Sequence, residues 1–252
     1  MTRVLVLLGV VTLAGCGGGD PDPAAILSQT SENLGKIKSA ESMHLKLSVE
    51  PAEGDPFEFE LEGPVALCRQ RALPLLDVEY TKIANGEDET VRILANGTQG
   101  FVVLDGTAYQ MSERQAANLS SACQDLESGD GGLASLSIGD WVRDPEASSG
   151  DDVDTVTGEL NVIAAVTDLV GIARAFGDST LARLGRADAQ RIADATEDSS
   201  FELETGHDDH LLRRLAAVGG TFTFELELED PNGQVEIQSP ESALPASEQP
   251  KG

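Results

Sequence analysis

A chain of 252 residues with 40% hydrophobic side chains can bury the core of one large domain or two small ones, although only 4% of its residues are aromatic. Its 44 acidic residues against 17 basic ones leave a net charge of -27. Such a chain repels a phosphate backbone, which excludes nucleic acid as a partner, and it gains nothing from charge at anionic lipid headgroups; the simplest use of the acidity is solubility.

Arg3 supplies a short positive start, and Val4 to Leu13 is an apolar run too short to span a bilayer. Leu13-Ala14-Gly15-Cys16 follows and resembles the lipobox of bacterial lipoproteins. That resemblance implies a signal peptide over 1–15, cleavage before Cys16, lipid on the Cys16 thiol, and anchoring on the extracytoplasmic face of the cell membrane. Segment 16–23, with Gly17-Gly18-Gly19-Asp20-Pro21-Asp22-Pro23, reads as a flexible lipidated tether. An ordinary secretory signal with an incidental cysteine, or an uncleaved anchor, are the alternatives. Export would place Cys68 and Cys123 in an oxidising compartment, where a disulfide between them is the simplest expectation. Their spacing excludes a CxxC redox or zinc site.

Ala24 to Lys38 is expected to be a helix, with Ala25, Ile26, Leu34 and Ile37 on one stripe and Pro23 just ahead. Strands with one oily and one wet face come next. Met43, Leu45, Leu47 and Val49 alternate with polar residues, as do Phe57, Phe59 and Leu61. Further strands are expected over Leu76 to Ala84, Glu89 to Ala95, Gly100 to Leu104 and Thr107 to Met111. Asn85-Gly86, Asn96-Gly97 and Asp105-Gly106 are the turns between them. Ser112 is the expected N-cap of a helix to Leu126. The single tryptophan, Trp141, precedes a polar stretch from Asp144 to Asp152, and Val153 to Leu160 alternates again. Val162 to Phe176 is a strongly apolar helix, and Ala187 to Ala195 a weaker one. Phe201 and Leu203, then Phe222, Phe224, Leu226 and Leu228, belong to strands. Leu211 to Val218 fits either a helix or a strand by period alone. The tail 239–252 is rich in Pro, Ser and Glu and is expected to be disordered.

Chemistry-bearing motifs do not stand out. The sequence has no GxSxG elbow, HExxH, P-loop or GxGxxG, and its three histidines are His44, His207 and His210. No catalytic residue, cofactor or metal is expected. His207-Asp208-Asp209-His210 offers four neighbouring donors, but adjacent residues in a tight turn rarely aim at one point. His44 falls on the polar side of its strand and is expected to be solvated, as are Asp151, Asp152 and Asp154 in an acidic loop.

The order of these pieces is similar to the mycobacterial lipoprotein family of LppX, LprA, LprF and LprG. The residues that carry the likeness are the lipobox, a helix ending Lys36-Ile37-Lys38-Ser39-Ala40, the Asp105-Gly106-Thr107-Ala108-Tyr109 hairpin, and the segment from Asp152 to Leu160 ahead of an apolar helix. The resemblance spans 24–238 and implies an α+β, LolA-like fold, a curved antiparallel β half-barrel with helices packed on the concave face. It also implies a cavity for acylated lipids and tips Leu211 to Val218 towards a strand. The Cys68/Cys123 pair and the acidic bias lie outside the likeness. The apolar residues facing such a cavity would be Leu45, Leu47, Phe57, Phe59, Phe222 and Phe224 on strands, with Val166, Leu169 and Val170 on the apolar helix. The expected function is non-catalytic binding and carriage of a lipid or other hydrophobic ligand by a membrane-tethered protein. The alternative is a structural or protein-interaction module whose core is filled by its own side chains.

Overall fold

The computed structural model describes residues 21–50, 56–68, 71–84, 87–128, 132–175, 186–194, 196 and 198–250. Within them runs one antiparallel sheet. Its first half is a meander of β1 (Ser39–Val49), β2 (Phe57–Ala66), β3 (Leu75–Ala84), β4 (Glu87–Asn96), β5 (Gly100–Leu104) and β6 (Thr107–Gln110). Its second half is a meander of β7 (Val142–Ser149), β8 (Val153–Leu160), β9 (Ser199–Gly206), β10 (Leu212–Gly219) and β11 (Phe222–Glu229). The halves join where β1 pairs with β11, giving an 11-stranded sheet in the order β6-β5-β4-β3-β2-β1-β11-β10-β9-β8-β7. The sheet is curved and does not close, so the α+β half-barrel is the observed architecture.

Alternation decides which side is covered. Leu45 pairs with Leu226 and Leu61, and Leu47 with Phe224 and Phe59, on an inner face; Lys46, Glu225 and Glu60 share the outer face. Glycines allow the sheet to bend. Gly63, at φ 138°, stands where the β1–β2 register slips between Ala40 and Met43, and a Cβ there would lie 2.2 Å from the Asp77 carbonyl oxygen. At the β5–β6 turn both Asp105 and Gly106 have positive φ, as a two-residue hairpin of the expected Asp-Gly type requires.

Four α-helices are described. α1 (Pro23–Leu34) starts where the Asp22 carboxylate accepts the Ala24 N–H at 3.0 Å, with Pro23 as its first residue, and Gly35 ends it short of the expected Lys38. α2 (Glu113–Ser128) is capped reciprocally: Ser112 N–H donates to Gln115 Oε1 at 2.8 Å, and Gln115 N–H to Ser112 Oγ at 3.3 Å. α3 (Val162–Ala175) and α4 (Arg186–Asp194) complete the set. Two separate cores form on the inner face. The larger packs α1, α3 and α4 on β1, on the Phe57 end of β2 and on the second half of the sheet. The smaller gathers Leu73, Leu76, Val78 and Ala95, with Ala116 and Leu119 of α2 against it. No helix among the described residues is long and apolar enough to cross a membrane.

The Leu211 to Val218 segment, which the resemblance tipped towards a strand, forms β10 from Leu212 to Gly219. Other expectations change. The polar stretch from Asp144 contains most of an edge strand, β7, that alternation did not reveal. It lies at the border of the sheet, carries Pro145, and bulges at Asp144, where φ is 47°. The tail 239–252, expected to be disordered, is held as far as residue 250. Leu244 bridges to Tyr109 on the open edge of β6, its N–H donating to the Ala108 carbonyl and its carbonyl accepting from Gln110 N–H, and Asn96 Nδ2 donates to Ser239 Oγ at 2.7 Å. Composition misjudged it because its partner is a strand edge distant in sequence. Cys16, the signal segment and the Asn85-Gly86 turn lie outside the described residues.

Candidate ligand-binding site

The nine apolar residues assigned to a lipid site all reach the inner side of the sheet. Leu47, Phe57, Phe222, Phe224, Val166, Leu169 and Val170 are buried in the larger core, packed by α1, α3 and the strands themselves. Leu45 and Phe59 lie against that core but remain half-buried. Seven of the nine are therefore packed core, while Leu45 and Phe59 belong to the accessible part of the same face.

Register locates it. Leu226, Leu45, Leu61, Tyr80 and Val91 form one row across β11, β1, β2, β3 and β4. Leu226 is buried, and the other four are half-buried. In the next row Phe224 and Leu47 are buried while Phe59 and Lys82 are half-buried. The inner face thus opens from β11 towards β4. Leu45 and Phe59 pack against the larger core and Leu61 and Ile93 against the smaller, and with Tyr80 and Val91 they make a half-buried apolar band across the inner face. Phe59 lies 6.1 Å from the Phe57 ring and 6.2 Å from the Tyr80 ring, and Lys82 Nζ sits 5.5 Å from the centroid of Phe57. Leu61, Tyr80, Val91 and Ile93 were not singled out in the sequence, although the alternation of β3 and β4 carries them.

A second concavity, an open cleft of about 870 Å³, lies on the outer face under the chain from Glu236 to Leu244. The Asp77–Arg92 ion pair, with two contacts of 2.6 Å, forms part of its floor. A buried acyl chain would desolvate that pair without replacing its hydrogen bonds, so the cleft suits an apolar ligand poorly.

The His207-Asp208-Asp209-His210 turn does not assemble a metal site. Asp209 pairs with Arg213 at 2.7 Å, and His207 turns away to Asp154. Asp154 is buried rather than solvated. Its Oδ1 accepts Ser149 Oγ at 2.6 Å and lies 2.9 Å from His207 Nδ1. Serine and imidazole share the carboxylate instead of contacting one another, so this trio is not arranged to activate a nucleophile. Burial pushes the Asp154 carboxyl up, but the hydrogen bonds from Ser149 and His207 and the imidazole charges of His207 and His210 outweigh it and hold the carboxyl below its usual range. The hydrogen bond to Asp154, then its charge, raises His207. The His207 contribution is therefore complete below its ordinary value of 6.5 and is lost as pH rises through the raised one. The Asp154 contribution is present above 3.8 and is lost as pH falls through the lowered value. His207→Gln should lower the melting temperature slightly at roughly pH 5–6 and by progressively less towards roughly pH 8, because the imidazole is solvent-exposed and screened. Paired melting curves across that range check it; a pH-independent difference would contradict the linkage.

No family model matches the chain, and no curated protein matches it in sequence. Among solved structures it is similar to LprF from Mycobacterium bovis, at 16% identity over 88% of this chain and 99% of that chain, with a TM-score of 0.49. It is also similar to lipoprotein LppX of Mycobacterium tuberculosis, at 15% identity over 86% of this chain and 100% of that one, with a TM-score of 0.38. A LolA superfamily protein from Nitrosomonas europaea shares 12% identity over 83% and 92% of the two chains, with a TM-score of 0.20.

Proposed function

We propose that this chain is a lipid-anchored extracytoplasmic protein that holds the acyl part of a lipid on the half-open apolar band and carries it between apolar environments. The anchor would be acyl chains on Cys16 after removal of 1–15, and a Cys68–Cys123 disulfide would secure the fold in that oxidising compartment. The observation that supports ligand binding is the band itself. Leu45, Phe59, Leu61, Tyr80, Val91 and Ile93 stay half-buried beside the parts of the inner face that the helices cover. Each methylene laid on such a surface and removed from water contributes about 0.8 kcal/mol, so even one chain yields substantial affinity. Transfer needs no covalent step, because the chain leaves one apolar surroundings for another.

Native mass spectrometry on protein purified from a lipid-containing host, followed by organic extraction, tests the reading. A co-purifying acyl lipid is the expected result. Leu61→Arg, which puts a charge in the middle of the band, should displace roughly two methylenes, costing about 1.6 kcal/mol or near tenfold in occupancy. A clean unliganded mass with no uptake of added phospholipid would leave the other reading, a tethered interaction module filled by its own core. The burial of seven of the nine assigned residues favours that module.

A further inference from the structure

On the outer face, across the sheet from the band, three metal-ligating side chains converge. His44 on β1 is paired with Glu62 on β2, and Glu60 stands two residues along β2 on the same face. His44 Nε2 lies 3.3 Å from Glu60 Oε1, and one ligand atom from each of His44, Glu60 and Glu62 lies within 4.8 Å of the others. Two paired strands hold the three side chains, so only side-chain torsions have to change for them to meet at one point.

The surrounding charge is only partly balanced at this spot: Lys46 stands opposite Glu60 and is raised first by its hydrogen bond to Glu58 and also by the charge of Glu60. The nearby cations are already engaged: Lys46 with Glu58 at 2.9 Å, Arg92 with Asp77, and Arg214 with Glu202, Glu225 and Glu227. Among the described residues neither Glu60 nor Glu62 has a lysine or arginine within 4.0 Å. Glu62 also sits opposite Glu79 of β3, a like-charge pair that Arg92, opposite Glu79 on β4, flanks on one side only. A converging imidazole and two carboxylates, neither in direct contact with a lysine or arginine, offer a divalent cation three donors on one rigid face.

We propose that His44, Glu60 and Glu62 bind a divalent transition-metal ion of the zinc class, with water completing its coordination. The imidazole selects this class over magnesium and calcium, which favour all-oxygen shells. Bond lengths of about 2.0–2.2 Å to nitrogen and oxygen require the donors to draw together by roughly an ångström. The site is independent of lipid binding, because it occupies the opposite face of the sheet.

Calorimetric titration of chelator-stripped, tag-free protein with ZnCl2, with cobalt absorption as a second readout, tests it. One saturable site per chain is expected. His44→Ala and the isosteric Glu62→Gln should each weaken it by about 10–100-fold or more. The double variant His207→Ala/His210→Ala should bind as the parent does, and millimolar magnesium should not compete. Absence of saturable binding overturns the proposal, as does a site that survives His44→Ala and disappears with His207 and His210.

Discussion

Trp141→Ala should lower the unfolding free energy by about 3–5 kcal/mol, among the largest effects open to a single substitution in this chain. Trp141 is fully buried at the foot of the larger core, with its ring edge-on to Phe224 at a centroid distance of 5.6 Å. Its indole N–H donates to Asp168 Oδ2 at 2.9 Å, and the same oxygen accepts Ser137 N–H at 2.8 Å. Truncation therefore opens a cavity between α3 and β11 and also takes a donor from a carboxylate that ties the turn before β7 to α3. The cavity is the larger penalty, because Asp168 is only half-buried and keeps the Ser137 N–H, so water can replace the lost indole donor. For a chain of this size the loss corresponds to roughly 6–20 °C in melting temperature. Circular dichroism on parent and variant measures it. In the parent, Trp141 is the single tryptophan and reports unfolding of this core by fluorescence. A fall of less than about 1 kcal/mol would show that the core relaxes into the space and is not packed as described.

The elements easiest to read in the sequence were those whose local pattern and tertiary role agree. β1, β2 and β11 alternate cleanly because one face is buried and the other wet, and Asp105-Gly106 and Ser112 act through local backbone geometry alone. β7 and the tail escaped for the same reason as each other. Each lies at an edge of the sheet, where half the backbone pairing and little side-chain burial define the structure, so composition carries almost no signal. The candidate band shows a different limit. Alternation gives the inner face of β3 and β4, and hence Tyr80, Val91 and Ile93, but whether a helix lands on those residues is a long-range packing outcome. That is why Leu47 and Phe224 lie under helices while Leu61 and Val91 stay half-exposed, although their patterns in the sequence are alike. His44 and Glu62 likewise become neighbours only through strand register, which depends on the bulge at Gly63.

The second large effect concerns the smaller core, which has less to hold it. α2 touches it through Ala116 and Leu119, both half-buried, and most of the helix surface described is exposed. Cys123 of α2 is buried beside Cys68, just after β2, with Cα atoms 6.0 Å apart at a sequence separation of 55, a distance suited to a disulfide. Cross-linking residues so far apart restricts the unfolded chain by about 3–4 kcal/mol on the entropic account, a large share of a domain's net stability. Cys123→Ser should therefore lower the melting temperature by roughly 6–15 °C. It should also make α2 the first site of proteolysis, because two small apolar contacts do not hold a 16-residue helix against fraying. The experiment has an internal control. Dithiothreitol should bring the parent down to the variant's melting temperature and leave the variant unchanged. Two free thiols in the untreated parent by mass spectrometry, or a parent indifferent to reductant, would mean that α2 is held by packing alone. Loss of this tie would uncover Leu76 and Val78, which continue the apolar band, so the variant should bind hydrophobic dyes more strongly than Trp141→Ala does at equal stability loss.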